Sequence, residues 1–113
     1  DTVIRNNYSD YQSGGGVSVV ESTLTMINCI IDNNFSYGRG GGLCAGSQCN
    51  LWIYNSLFVN NCAIDDGGGL YFTWSSNGQY IYKSIIGNNN AGHSKGSGDN
   101  SATVYAAQHG DSP

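Results

Sequence analysis

Few residues of this 113-residue chain combine a type and a spacing that could do chemistry. Asp65-Asp66 is the only adjacent acidic pair, and Asp32 is the other acid close to a repeated turn. Hydrolysis of a glycosidic bond needs two carboxyl groups facing each other across it, and a polysaccharide lyase needs acidic residues gathered on calcium together with a base. Neither cluster is present, so these acids read as solvated turn residues. His93 and His109 stand in polar stretches with no second ligand at metal spacing. No nucleophile motif surrounds a serine, and the glycine runs lack the Lys and Ser/Thr of a phosphate loop. The sequence therefore assigns no catalytic residue, no metal ligand and no cofactor.

Cysteine and asparagine carry the remaining candidate chemistry. Cys44 and Cys49 flank a four-residue segment leaving a strand, a spacing that a disulfide closes, and such a bond points to an extracellular or cell-surface setting. Cys29 and Cys62 fall in different columns of the repeat described below and are expected to be free and buried. Asn7-Tyr8-Ser9 and Asn34-Phe35-Ser36 match the glycosylation sequon, which makes Asn7 and Asn34 candidate acceptors.

What must position all of these is a repeat. An apolar residue followed two and three places on by asparagine recurs as Ile4-Arg5-Asn6-Asn7, Ile31-Asp32-Asn33-Asn34, Phe58-Val59-Asn60-Asn61 and Ile86-Gly87-Asn88-Asn89. Glycine runs follow at Gly14-Gly15-Gly16, Gly40-Gly41-Gly42, Gly67-Gly68-Gly69 and, degenerately, Gly96-Ser97-Gly98. Asn7 to Asn34 is 27 residues, Asn34 to Asn61 is 27 and Asn61 to Asn89 is 28. A fixed period in this range predicts a solenoid whose repeats stack on their neighbours. One Glu, two Lys, two Arg and six Ala against 17 Gly, 14 Asn and 14 Ser exclude helical repeats. Short alternating apolar runs punctuated by Asn, Gly and Asp predict strands.

The expected architecture is all-β: a right-handed parallel β-helix of about four rungs of about 27 residues, with three short strands per rung. It forms one domain over 1–113, with the last strand and a C-terminal tail in 101–113. The first strand of a rung holds Leu24–Asn28, Leu51–Asn55 and Gln79–Lys83. The second holds Val3-Ile4, Ile30-Ile31, Leu57-Phe58 and Ile85-Ile86. The third follows the glycines, with Val17, Leu43, Leu70 and Val104 in one column. Period-two alternation sends three columns inward: Met26, Ile53, Ile81; Ile4, Ile31, Phe58, Ile86; and Val17, Leu43, Leu70, Val104. Asn7, Asn34, Asn61 and Asn89 are expected to form a structural amide ladder at a turn where asparagine also tolerates left-handed backbone. The glycines are expected to supply positive φ or a close backbone approach at the next corner. Arg39, Asp66 and Lys95 each precede a glycine run and would share one surface column of alternating charge.

Phe58-Val59-Asn60-Asn61 with Gly68-Gly69-Leu70 resembles the repeat signature of the polymorphic outer membrane proteins of chlamydiae and of right-handed β-helix surface proteins more widely. This chain has Ile at three of the four aromatic positions and Gly where that family usually has Ala after the glycine pair. The resemblance spans nearly the whole chain and implies a β-helix in a surface, adhesive or structural setting. That family's membrane-anchoring barrel is not expected within these 113 residues.

One feature goes beyond scaffold. The outward column of the first strand reads Thr25, Trp52, Tyr80, and two residues on Ile27, Tyr54, Tyr82, so both sides of this strand are apolar or aromatic. Something is expected to cover that face: a second copy, another surface protein, a glycan or the tail Ala102–Pro113. The chain starts just before a second strand, and neither end shows a polar cap, which fits a segment of a longer β-helix or a fibre subunit. A net charge of −4 with four basic residues argues against nucleic acid, and no apolar stretch is long enough for membrane insertion. The functional expectation is an extracellular, non-catalytic structural or adhesive solenoid that contacts partners through Trp52, Tyr54, Tyr80 and Tyr82. The alternative is a carbohydrate-binding or carbohydrate-active β-helix using the same aromatic face.

Overall fold

The structure is a computed structural model that describes residues 1–10, 13–73 and 78–92 and the backbone of 104–106. Fifteen short strands occur among these residues, and no helix. The chain runs β1 (Thr2–Arg5), β2 (Tyr8–Ser9), β3 (Val17–Val19) and β4 (Thr23–Ile27), and then repeats that order. The second turn is β5 (Cys29–Asp32), β6 (Phe35–Ser36), β7 (Leu43–Ala45) and β8 (Asn50–Tyr54). The third is β9 (Leu57–Val59), β10 (Cys62–Ala63), β11 (Leu70–Phe72) and β12 (Gly78–Tyr82), followed by β13 (Ile85–Gly87), β14 (Asn90–Ala91) and β15 (Val104–Ala106). Each strand pairs in parallel with its equivalents one turn away, giving a β-solenoid of about three turns.

Register follows the sequence repeat. Ile4 pairs with Ile31, Ile31 with Phe58 and Phe58 with Ile86, while Val17, Leu43, Leu70 and Val104 align in another sheet and Met26, Ile53 and Ile81 in a third. Ile31, Leu43, Ile53, Phe58 and Leu70 are fully buried at the centre of the core. Ile4, Val17 and Ile86, toward the ends of the stack, pack on that core only partly, and Ile81 is 37% exposed. The core also takes in a second inward row that three columns do not account for, Val19, Ala45 and Phe72, together with Leu51 beside Ile53.

Four sheets are present where three strands per repeat were expected. The additional ladder is β2, β6, β10 and β14, each two residues long, between the asparagine corner and the glycine run. Two residues are too short to display a period, so alternation along the sequence cannot reveal this strand.

Two devices make the corners. The residue before each ladder asparagine adopts left-handed backbone: Asn6, Asn33, Asn60 and Asn88 have φ between 52° and 61°. The left-handed role and the ladder role thus belong to successive asparagines, where one residue had been expected to serve both. A further left-handed corner lies at Asn28, Asn55 and Lys83, with φ of 57°, 49° and 49°, and at the glycine corner Gly14, Gly40 and Gly67 have φ of 81°, 69° and 66°. The glycine after each is needed for a different reason: a Cβ on Gly41 would stand 2.4 Å from the carbonyl oxygens of both Cys62 and Gly68.

The Cys44–Cys49 disulfide expected from spacing does not form; all four cysteines are free thiols. Alternation explains why. Leu43 and Ala45 point into the core, so Cys44 between them faces outward, where it packs with Tyr71, whereas Cys49 lies within the core itself. Burial pushes the Cys44 thiol up from its ordinary value, against the pull of Ser13 and Arg39, and burial does the same to Cys62. Raised thiol pKa values mean that both groups stay neutral in the native chain at a pH where they ionise in the unfolded one. Stability is therefore complete below the ordinary value of 9.0 and declines as pH rises through it. We expect all four thiols to react with a thiol reagent after unfolding without any reductant, and Cys62, the one that is not fully buried, to react first in the native chain. Mass spectrometry of the labelled protein checks both points, and a pair of cysteines unreactive until reduced would contradict them.

Candidate functional site

The asparagine ladder lies inside the corner between the first two sheets of each turn. Asn34 donates from its backbone N and from Nδ2 to Asn61 Oδ1 (2.9 and 3.0 Å), and Asn61 donates in the same way to Asn89 Oδ1 (2.8 and 3.0 Å). Asn7 donates to Asn34 Oδ1 through both of its nitrogens, at 3.0 Å each. The second Nδ2 hydrogen goes to the backbone of the preceding turn: Asn34 to Ile4 O (3.0 Å), Asn61 to Ile31 O (2.9 Å) and Asn89 to Phe58 O (3.0 Å). Asn34 and Asn61 are each 1% exposed, so the ladder satisfies polar groups that water cannot reach. A glycan on Asn34 would have to break the bonds that its Nδ2 makes, whereas Asn7 is exposed.

A parallel exposed ladder runs along the left-handed residues. Asn33 Nδ2 donates to Asn6 Oδ1 (2.8 Å), Asn60 Nδ2 to Asp32 Oδ1 (3.3 Å) and Asn88 Nδ2 to Asn60 Oδ1. Asp32 also faces Arg5 at 3.3 Å, an exposed pair contributing about 0–1 kcal/mol. Asp32 is thus engaged in local surface bonds, Asp65 is half-buried and Asp66 is buried. Arg39 lies over the ring of the buried Tyr71, its guanidinium carbon 5.2 Å from the centroid. Lys95, His93 and His109 fall outside the described residues. Among the described residues no three His, Cys, Asp or Glu side chains converge as a metal site.

The outward face of β4, β8 and β12 brings the aromatic residues together. Thr25, Trp52 and Tyr80 align in one column and Ile27, Tyr54 and Tyr82 in the next. Trp52 and Tyr80 stack with centroids 4.3 Å apart and planes 16° off parallel, while Tyr54 meets Tyr82 edge-on at 6.4 Å. Tyr80 and Tyr82 are more than half exposed and Trp52 is 37% exposed. In the Trp52–Tyr80 stack the ring faces lie against each other along the stack, which turns ring edges toward solvent. On the side of Trp52 away from Tyr80 the neighbour in register is the small Thr25.

Two further surface features were not assigned from sequence. Tyr8 and Phe35 stack at 5.0 Å and 9° on the two-residue ladder of β2, β6, β10 and β14, with Tyr37, just after β6, tilted against Phe35 at 6.3 Å. Across the Asn28/Asn55/Lys83 corner from the aromatic face, Val3, Ile30, Leu57 and Ile85 form an outward aliphatic column, with Val3 54% and Ile85 65% exposed. The paired apolar residues Val3-Ile4, Ile30-Ile31, Leu57-Phe58 and Ile85-Ile86 carry its signal: when both neighbours in a strand are apolar in every copy, one of them faces outward.

No family model, curated protein or solved structure matches the chain. Among the described residues no helix is long and apolar enough to cross a membrane.

Proposed function

We propose that this chain is a non-catalytic, right-handed parallel β-helix of about four rungs. It acts in an extracellular or cell-surface setting as a structural or adhesive building block of a longer surface protein or filament. Its contact surface is the face carrying Trp52, Tyr54, Tyr80 and Tyr82, and its partner is another protein surface or a second solenoid. Right-handedness follows from the twist preference of parallel strands joined through crossovers. One observation carries the choice of partner: the stacked Trp52 and Tyr80 turn edges, not faces, toward solvent. A protein surface packs against ring edges and aliphatic side chains alike, whereas a sugar stacks on an open ring face.

A second function, glycan binding, draws support from one place on the same face. On the side of Trp52 away from Tyr80 the register partner is the small Thr25, and a sugar stacked on the indole would sit there. Affinity electrophoresis through gels containing polysaccharide separates the two. The protein-contact function predicts no retardation for the wild type. Retardation that disappears in Trp52→Ala would contradict it and select glycan binding. The double substitution Trp52→Ala/Tyr80→Ala should leave the fold intact, because stacking of one exposed pair contributes only about 0.5–1.5 kcal/mol. Circular dichroism melting checks this, with an expected fall in Tm of less than roughly 10 °C.

A further inference from the structure

The aromatic face meets a second apolar face at the corner of the coil. Only Asn28 and Cys29 separate Ile27, at the end of β4, from Ile30 in the outward aliphatic column, so the two apolar faces flank the exposed corner of Asn28, Asn55 and Lys83. Their exposed members are Trp52, Tyr80, Ile27, Tyr82, Val3 and Ile85, between 37% and 65% accessible. We propose that this two-sheet face is where two copies of the chain pair about a two-fold axis. The proposal rests on the contact-surface function above and names its partner as a second copy.

Area and periodicity favour a second copy. With roughly 150–250 Å² for each ring and somewhat less for each aliphatic side chain, the exposed fractions amount to roughly 500–600 Å². The largest apolar patch of a monomer is ordinarily about 300–600 Å², so this one lies at the upper end of that range. A stable interface removes about 800 Å² from each partner, of which about 60% is apolar, so roughly 500 Å² is what one side of a dimer requires. Among the described residues charges of both signs edge this face: Lys83 with its Nζ over the Tyr82 ring at 5.5 Å from the centroid, Asp1 with its ammonium donating to Ile27 O at 3.0 Å, and the Arg5–Asp32 pair beside the aliphatic column. The face is ridged at the spacing of the turns, about 4.8 Å. A second copy presents the same ridges, which fit the grooves along the whole face, and a two-fold axis makes the contact self-complementary.

Sedimentation equilibrium over a wide concentration range, with hydroxyl-radical footprinting of the same samples, tests the proposal. The expected result is a reversible dimer in which oxidation of Trp52, Tyr80 and Ile85 falls as concentration rises. Tyr80→Asp/Ile85→Asp should weaken it by more than about tenfold. Tyr37→Asp, at an exposed aromatic just after β6, should leave it unchanged, and circular dichroism of each variant confirms folding. A wild type that stays monomeric with the face freely oxidised would overturn pairing between copies while leaving the face available to another protein. A monomer whose face is protected from oxidation would overturn both the pairing and the contact-surface function. A dimer weakened by neither aspartate would place the interface elsewhere and overturn the proposal.

Discussion

Asn61→Ala should lower stability by about 3 kcal/mol, a fall in Tm of roughly 15 °C, while Asn7→Ala costs about 1 kcal/mol or less. The side chain of Asn61 makes four bonds: Nδ2 donates to Ile31 O and Asn89 Oδ1, and Oδ1 accepts from Asn34 N and Asn34 Nδ2. Truncation leaves the Asn34 backbone N–H, one Asn34 amide hydrogen and the Ile31 carbonyl without these partners in a region that is 1% exposed at Asn34 and fully buried at Ile31. Asn89 Oδ1 keeps the bond from the Asn61 backbone, so the damage runs mainly toward the N-terminal side of the ladder. Each stranded buried group costs about 1 kcal/mol or more. Asn7 has the same identity but is exposed, and water replaces what its side chain loses. Urea unfolding followed by circular dichroism measures both. Equal effects at Asn7 and Asn61 would mean that the ladder contributes nothing beyond a surface amide.

Gly41→Ala should cost about 3 kcal/mol by crowding, with no polar group lost. The added methyl would lie 2.4 Å from the carbonyl oxygens of Cys62 and Gly68, and both obstacles are backbone. Neither can yield, because Gly41 N donates to Gly67 O at 3.1 Å and Cys62 N to Asn34 O at 2.8 Å, which fixes the spacing of the turns. Gly87→Ala serves as the control: nothing lies within 4 Å of its added Cβ, so stability should change by less than about 1 kcal/mol. The midpoint of urea unfolding reads the difference. A neutral Gly41→Ala would show that the glycine corner does not bring successive turns as close as described.

The fold was legible wherever a column repeats one kind of residue. Ile4, Ile31, Phe58 and Ile86 recur at the period and stack in register, and so do Val17, Leu43, Leu70 and Val104. Where the repeat alternates within a strand, the inward side was legible as well. The short ladder Tyr8–Ser9, Phe35–Ser36, Cys62–Ala63 and Asn90–Ala91 was not, because its columns mix ring, thiol, hydroxyl and amide and two residues set no period. Spacing alone suggested a Cys44–Cys49 bond. The alternation that sends Cys44 out and Cys49 in was already implied by Leu43 and Ala45, and it outweighs sequence separation. Of the candidate contact face, the residues Trp52, Tyr54, Tyr80 and Tyr82 were visible in sequence. Ring orientation was not, and orientation is what separates a protein contact from a platform for sugars. The aliphatic continuation through Val3 and Ile85 was visible as doubled apolar pairs, but its meaning depends on the corner at Asn28, which only the three-dimensional path supplies.

Site-resolved amide hydrogen exchange tests the central claim most directly: the repeat is a stack of turns held by a buried asparagine spine, which frees the outer face for contacts. The backbone amides of Asn34 and Asn61, each bonded to a buried side-chain oxygen one turn away, should exchange most slowly, with Leu43 and Cys62 close behind. The protection pattern should recur at the 27-residue spacing of the asparagines from one turn to the next. Protection that is uniform, or that peaks away from Asn34 and Asn61, would contradict the stacked spine and the contact face built on it.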